Sequence, residues 1–362
     1  MREDLARYHR QMLLPGFGED GQRRLADSRV LLLGCGALGS IAAEMLARAG
    51  VGHLVIVDRD FVELTNLQRQ LLYDERDVAD AIPKAIAAKE RIARINSAVA
   101  VTAIVDDINH TNIAQFADGA DVLVDGLDNF ETRYLANDLA VKTGRPYVYG
   151  AAVGTTGMAF TVLPATGGMA PWERDGGNLA TPCFRCLFDA APPPGASATC
   201  DTVGVIGAAV GIVANFQVAE TLKILTGNYD RVSRALLNLD LWANEILQLE
   251  VPGGAAADCP CCRHGRFDYL DGKAGSDAAS LCGRDAVQLR HRQRADGVDL
   301  DALARRLRGQ GSVRSNQFML QAHIADGDKA WEITLFPDGR AIVKGTDDPQ
   351  VARSIYARYV GA

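Results

Sequence analysis

Residues 30–39, Val30-Leu31-Leu32-Leu33-Gly34-Cys35-Gly36-Ala37-Leu38-Gly39, decide how the rest of this chain is read. Four large apolar residues run into a Gly-x-Gly-x-x-Gly turn and then an Ala-rich segment. That order is a buried strand, a tight turn, and a helix whose N-terminal N–H groups can hold a phosphate at Gly34, Gly36, Ala37 and Gly39. The next apolar run ends on Asp58, about twenty residues past the last glycine, where an acid can grip ribose hydroxyls. Glycine turns of this kind serve nicotinamide, flavin and adenine nucleotides alike. The segment that follows separates them: Asp60, then Asn66-Leu67-Gln68-Arg69-Gln70. An arginine flanked by amides has no task in hydride transfer, whereas a triphosphate needs one.

Composition bounds the remaining possibilities. The 362 residues leave room for one large or two ordinary domains, and a 48% hydrophobic content supports a real core. A formal net charge of −7 argues against nucleic acid or an anionic membrane as partner. The charged start, Met1 to Arg7, does not read as a secretory signal. Val203 to Ala214, the longest apolar stretch, holds three glycines and reads as a buried helix, not a membrane span. The expectation is a cytoplasmic protein.

From 29 to about 165 the pattern alternates. Strands are predicted at 29–33, 53–57, 99–105, 121–125, 146–149 and 157–163, with helices near 38–49, 83–95, 111–117 and 130–142. Such alternation predicts a Rossmann-like, doubly wound, largely parallel sheet. Asp128 then falls just past a strand end, on the edge where such sheets bind ligands. A long loop rich in Gly, Pro and Ala (164–200) precedes an apolar helix (203–226) and a strand pair around 234–250. The first domain is expected to span 1–265. Residues 282–362 read as a separate small α+β module: a strand, a helix, three strands and a final helix.

Four of the eight cysteines form two Cys-x-x-Cys pairs, Cys183/Cys186 and Cys259/Cys262. That spacing lets two thiolates grip one ion, so the two pairs predict a closed Cys₄ structural Zn²⁺ site. Cys261 lies inside the second pair, which leaves Cys259/Cys261 as a geometrically poorer alternative. Neither pair opens a helix after a strand, as a redox Cys-x-x-Cys would.

Six ordered motifs together resemble the ThiF/MoeB/HesA family of ubiquitin-activating-enzyme-like adenylyltransferases. They are Arg7-Tyr8-His9-Arg10-Gln11 with Asp20-Gly21-Gln22, Asn66-x-x-Arg69-Gln70, Pro83-Lys84, Asp125-Gly-Leu-Asp128-Asn129 followed by Arg133, Cys183-Phe-Arg-Cys186, and Cys259-Pro-Cys-Cys262. The resemblance covers about the first two thirds of the chain. It implies ATP-dependent adenylation of the C-terminal Gly-Gly carboxylate of a small ubiquitin-like sulfur-carrier protein, of thiamine thiazole or molybdopterin type, with release of pyrophosphate. By the same resemblance Arg69 and Lys84 contact the phosphates beside Asn66, Gln68, Gln70 and Asn129; Asp58 binds the ribose, and Asp128 holds Mg²⁺. Arg10 is expected to enter the partner subunit's ATP site in a homodimer. Cys200 aligns with a cysteine that in relatives can take the activated C-terminus as a thioester, or else it caps the helix that follows. Two departures stand out. Position 37 is Ala where the family usually has a third glycine, and the segment Val78–Lys84 is about two residues longer than usual and lacks its glycine. Two other readings of the motifs are adenylation of a different carboxylate, such as a peptide, and a non-catalytic nucleotide-binding or NAD scaffold.

Overall fold

A computed structural model describes residues 3–174, 178–190, 203–251, 256, 258–274, 280–281, 286–289, 298–326, 329–337 and 339–361. They form two compact units, one of residues up to 274 and one of residues from 280 onward. The first is built on an eight-stranded sheet in the order β3-β2-β1-β4-β5-β6-β7-β8. Its strands are β1 Arg29–Leu33, β2 His53–Val57, β3 Ala100–Ile104, β4 Val122–Asp125, β5 Tyr147–Val153, β6 Thr156–Val162, β7 Ala235–Asp240 and β8 Glu245–Glu250. From β3 to β5 every pairing is parallel. From β5 to β8 every pairing is antiparallel. The expected sheet is therefore present, and the strand pair near 234–250 joins it through β6. Strand spacing along the sequence carries no sign of that attachment, which only the tertiary pairing makes.

The apolar run of β1 is buried on both faces, as a central parallel strand must be. Val30 and Leu32 pack with the helices Ala37–Ala49 and Lys84–Ile95, while Leu31 and Leu33 pack with the helix Phe130–Thr143. The helix Gly207–Leu225 is long and apolar enough to cross a membrane. Here it packs on β4, β5, β6 and the helix Ala37–Ala49, which makes it a core element.

The N-terminal arm is tied to its own chain. Leu5 and Tyr8 are buried. The Asn96 amide donates to the Tyr8 hydroxyl at 2.8 Å, and Gln22, fully buried, donates to the Ala49 carbonyl at 3.1 Å. Asp20-Gly21-Gln22 thus serves the C-terminal end of the first crossover helix.

The second unit is an antiparallel sheet in the order β11-β12-β13-β14-β10-β9. Its strands are β9 Ser280–Leu281, β10 Ala286–Leu289, β11 Gly311–Ser315, β12 Leu320–Asp326, β13 Lys329–Leu335 and β14 Ala341–Lys344. Helices Leu300–Leu307 and Pro349–Tyr359 share its core. Strand β11 was not expected, because Gly-Ser-Val-Arg-Ser holds one apolar residue and shows no alternation.

Candidate nucleotide site and candidate metal centre

Register brings the site together. Leu33 lies opposite Val57 on one side and Asp125 on the other, so Gly34, Asp58 and Gly126 leave three adjacent strands at one level. The sheet order reverses between β1 and β4, and ligands of doubly wound sheets bind at that switch point. The chain is very tightly packed there. A Cβ on Gly39 would lie 2.1 Å from the Gly34 carbonyl oxygen, and one on Gly126 would lie 2.3 Å from the same atom. Only glycine fits at either place, which explains Gly39 of the turn and Gly126 after β4 without reference to a ligand. Ala37 opens the helix with its N–H still available, so the departure at that position leaves the cradle intact.

Asp58 is buried. Its carboxylate accepts the Cys35 N–H at 2.6 Å and the Asp60 N–H at 2.7 Å, one on each oxygen. Burial pushes this carboxyl above the ordinary carboxylate range, and the nearby Lys84 ammonium opposes that. A carboxylate has about four lone-pair directions, so each oxygen has one beyond its backbone hydrogen bond with which to accept from a ligand hydroxyl. Lys84 is 4% exposed and pairs with Asp60 at 3.0 Å. A short antiparallel bridge, Phe61 to Pro83, delivers it to the end of β2. Within the preceding longer segment Ala81 adopts φ 47°, where the usual choice is glycine.

The amides and Arg69 sit on the turn after β2. Asn66 is buried and its side-chain oxygen accepts the Glu63 N–H at 3.2 Å, so part of its role is to hold the turn. Arg69 donates to the Thr65 carbonyl at 2.9 Å and Gln68 to the Val205 carbonyl at 3.4 Å. Gln70 is buried beneath Gly36, with its Oε1 lacking a hydrogen-bond partner. A buried, unpaired amide beside a phosphate-type turn is what a polar ligand would complete.

Asp128 is exposed at the mouth of this crevice, where the Asn129 amide donates to it at 3.3 Å. Asn129 caps the next helix by accepting the Thr132 N–H at 2.9 Å. Arg10 is exposed on the short helix His9–Met12, with Leu13 and Leu14 exposed just after it. Cys200 lies outside the described residues, as do 175–177 and the rest of 191–202 of the long loop.

The four predicted zinc cysteines do converge. Sulfur atoms of Cys183 and Cys259 are 3.6 Å apart, of Cys186 and Cys262 3.4 Å, and of Cys183 and Cys186 3.8 Å. All four lie within 4.8 Å of one another. Tetrahedral zinc with Zn–S near 2.3 Å requires S···S of about 3.8 Å. The Cys183 thiol is pushed up to about 12, first by its Cys186 neighbour. Cys259 and Cys262 are raised too, each chiefly by facing Cys183, while Cys186 is lowered, first by its hydrogen bond with Cys183 and then by that with Cys262. A bound divalent cation is the charge that would let them all ionise. Cys261 is not a ligand position: its sulfur is buried and accepts from the Asn137 amide at 3.3 Å. Asn137 also accepts the Phe184 N–H at 2.8 Å, so one buried amide ties both knuckles to a single helix. Sequence reading missed Asn137, which as an isolated helical Asn gave no signal.

The family model that matches this chain is that of the ThiF family, over residues 8–261. The chain belongs to the ThiF family. Among ThiF-type relatives, the sulfur carrier protein ThiS adenylyltransferase of Bacillus subtilis (strain 168) is 44% identical over 356 residues, covering 98% of this chain and 99% of the relative. A sulfur carrier protein adenylyltransferase of Thermus thermophilus is 38% identical over 72% of this chain and 92% of its own length. Among solved structures, E. coli MccB with ATP is similar in fold, with a TM-score of 0.57 at 23% identity, over 71% of this chain and 74% of that one.

Proposed function

We propose that this ThiF-family chain is an adenylyltransferase that activates the C-terminal Gly-Gly carboxylate of a small ubiquitin-like sulfur-carrier protein. The observation that carries the reading is the near-full-length likeness to a sulfur-carrier adenylyltransferase. It is supported by an arginine, a lysine and two buried amides clustered at the switch point of the sheet. In this reading Gly34, Gly36, Ala37 and Gly39 cradle the nucleotide with Asp58 on its ribose. Arg69 and Lys84, beside Asp60, Asn66, Gln68, Gln70 and Asn129, offset the triphosphate charge. The carrier carboxylate attacks the α-phosphorus, the bond to the bridging oxygen breaks, and pyrophosphate leaves with the electron pair, giving the acyl-adenylate. Positioning and charge neutralisation supply the rate; no protein nucleophile is needed. Asp128 would hold Mg²⁺, which supplies Lewis-acid stabilisation of the phosphate oxygens. Adenylation of a different carboxylate, such as a peptide, has no near-full-length likeness of that kind behind it, so it stands second. The direct test is exchange of labelled pyrophosphate into ATP: it should require a carrier protein ending in Gly-Gly and fail with one truncated by that dipeptide.

The reading extends to a homodimer in the cytoplasm, with Arg10 acting across the interface. Exposed Leu13 and Leu14 beside it support a covered surface there. Arg10→Ala and Asp128→Ala homodimers should both be inactive, and their mixed heterodimers should recover part of the exchange activity because one of two sites is then intact. Heterodimers that form and stay dead would remove Arg10 from that role. Cys200 is assigned the thioester with the carrier. Cys200→Ser should exchange pyrophosphate within about twofold of wild type, since adenylation is complete without a thiol, while a thiol-sensitive adduct with the carrier disappears. Full thiocarboxylate formation by that variant, given a sulfur donor, would end the covalent assignment.

A further inference from the structure

Beneath the Asp128 loop lies a buried polar network that the reaction as described does not use. Asp125, fully buried at the end of β4, accepts the Leu127 N–H at 2.8 Å, the Tyr147 hydroxyl at 2.6 Å and the Arg133 Nε at 3.2 Å. Arg133 in turn donates from Nη2 to the Leu127 carbonyl at 2.8 Å and to the Gly150 carbonyl at 3.1 Å. Its guanidinium packs over the Tyr149 and Phe130 rings. From the other side, the fully buried Gln217 donates to the Asp125 carbonyl at 2.8 Å and to the Val148 carbonyl at 3.1 Å. A buried ion pair of this kind gains little stability over an apolar core, so its value is specificity of geometry.

That geometry points at one atom group. The N–H and C=O of Leu127 are held by opposite ends of the same ion pair, and the next residue is Asp128. Gly126, just before, is closely packed: a Cβ there would lie 2.3 Å from the Gly34 carbonyl oxygen and 3.0 Å from the Gly39 Cα. Asn129, just after, is fixed as a helix cap. Among the described residues the exposed Asp128 side chain hydrogen-bonds only to the Asn129 amide and otherwise feels the Arg133 charge, so its direction is set by this backbone and that cation rather than by a set of side-chain partners. We infer that Arg133 and Tyr147 are positioning residues for Asp128: acting through Asp125 and the Leu127 peptide groups, they aim its carboxylate into the crevice. This rests on the adenylation reading, in which Asp128 faces the metal and the phosphates.

Two variants of the full chain test it. Tyr147→Phe removes one hydroxyl and leaves the ring. Arg133→Lys keeps a positive charge beside Asp125 but lacks the fork that reaches Leu127 and Gly150 together. Calorimetry measures binding of a non-hydrolysable ATP analogue with Mg²⁺ and in EDTA, beside pyrophosphate exchange with a Gly-Gly carrier and thermal melting. Both variants should bind the analogue like wild type in EDTA. Their Mg²⁺-dependent gain in affinity should shrink about fivefold, and kcat for exchange should fall about tenfold or more with KM for the carrier nearly unchanged, because a small misplacement near the reacting atoms is costly. Unchanged Mg²⁺-dependent gain and kcat in both variants would overturn the inference. So would a loss of EDTA-state binding in step with the melting temperature, since that is general loosening. If Arg133→Lys does not fold, Tyr147→Phe alone decides. A wild type without carrier-dependent exchange would instead sink the adenylation reading, and the binding arm would still judge the clamp.

Discussion

Asp128→Ala is expected to reduce ATP–pyrophosphate exchange by a factor of about a thousand while leaving the melting temperature within a degree or two of wild type, the size of effect seen when one preorganised electrostatic group is removed. The two halves of that expectation come from different observations. Asp128 is exposed, outside the core clusters, and its one side-chain hydrogen bond among the described residues is with Asn129. Removing it therefore costs little packing. Its carboxylate is also the acid that projects from the loop beside the glycine turn, since Asp125 is fully buried and committed to Arg133, Tyr147 and the Leu127 N–H. A contrast follows. Asp125→Ala should unfold or strongly destabilise the protein, because it strands a buried guanidinium whose own charge state burial already opposes. Near-normal exchange by Asp128→Ala, measured at saturating ATP and carrier, would remove it from catalysis.

The second large effect concerns the Cys₄ centre. Freshly purified protein should carry one zinc per chain of this sequence, and stripping it should lower the melting temperature by about 10 °C or more, because structural zinc binding is folding free energy. Cys183→Ser, Cys186→Ser, Cys259→Ser and Cys262→Ser should each reproduce that loss. The four sulfurs hold together two chain segments seventy-six residues apart, as the Cys183–Cys259 and Cys186–Cys262 contacts show. Both segments pack on the helix Phe130–Thr143, whose N-cap follows Asp128, so metal loss should also depress exchange. Cys261→Ser is the internal control. It sits in the core and donates nothing to the ion, so zinc content should stay at one per chain even if some stability is lost. A metal analysis finding no zinc in unchelated wild-type protein would refute the assignment.

Much of this site is written locally. Strand ends, the glycine turn, Asp58, the Asn66–Gln70 segment and both Cys-x-x-Cys pairs are each contiguous runs of a few residues, and their chemistry depends on residue type and spacing. The alternation of apolar runs with Ala-rich stretches likewise specified the parallel half of the sheet, because burial on both faces leaves a continuous hydrophobic signature. Local information also reached the four cysteines that converge, with one ambiguity at Cys261 that short-range spacing could not remove.

What the tertiary structure alone decided is which groups face one another across long stretches of chain. Strand β7 joins β6 seventy-odd residues later in sequence, and β11 forms although its own residues show no alternation; both are pairings whose energy is realised only on the assembled sheet. The buried polar network was only half visible. Asp125 and Arg133 stand in one motif, but Tyr147 on β5 and Gln217 on a later helix complete their network, and nothing in those two segments marks them as its members. Sequence by itself determined the chemistry on offer, since a carboxylate, a thiol or a glycine turn is a local property. The fold decided which of those groups are aimed outward, as Asp128 is, and which are consumed inside, as Asp125 and Cys261 are. The physical reason is that burying a charge or a thiol is favourable only when distant parts of the chain supply its partners.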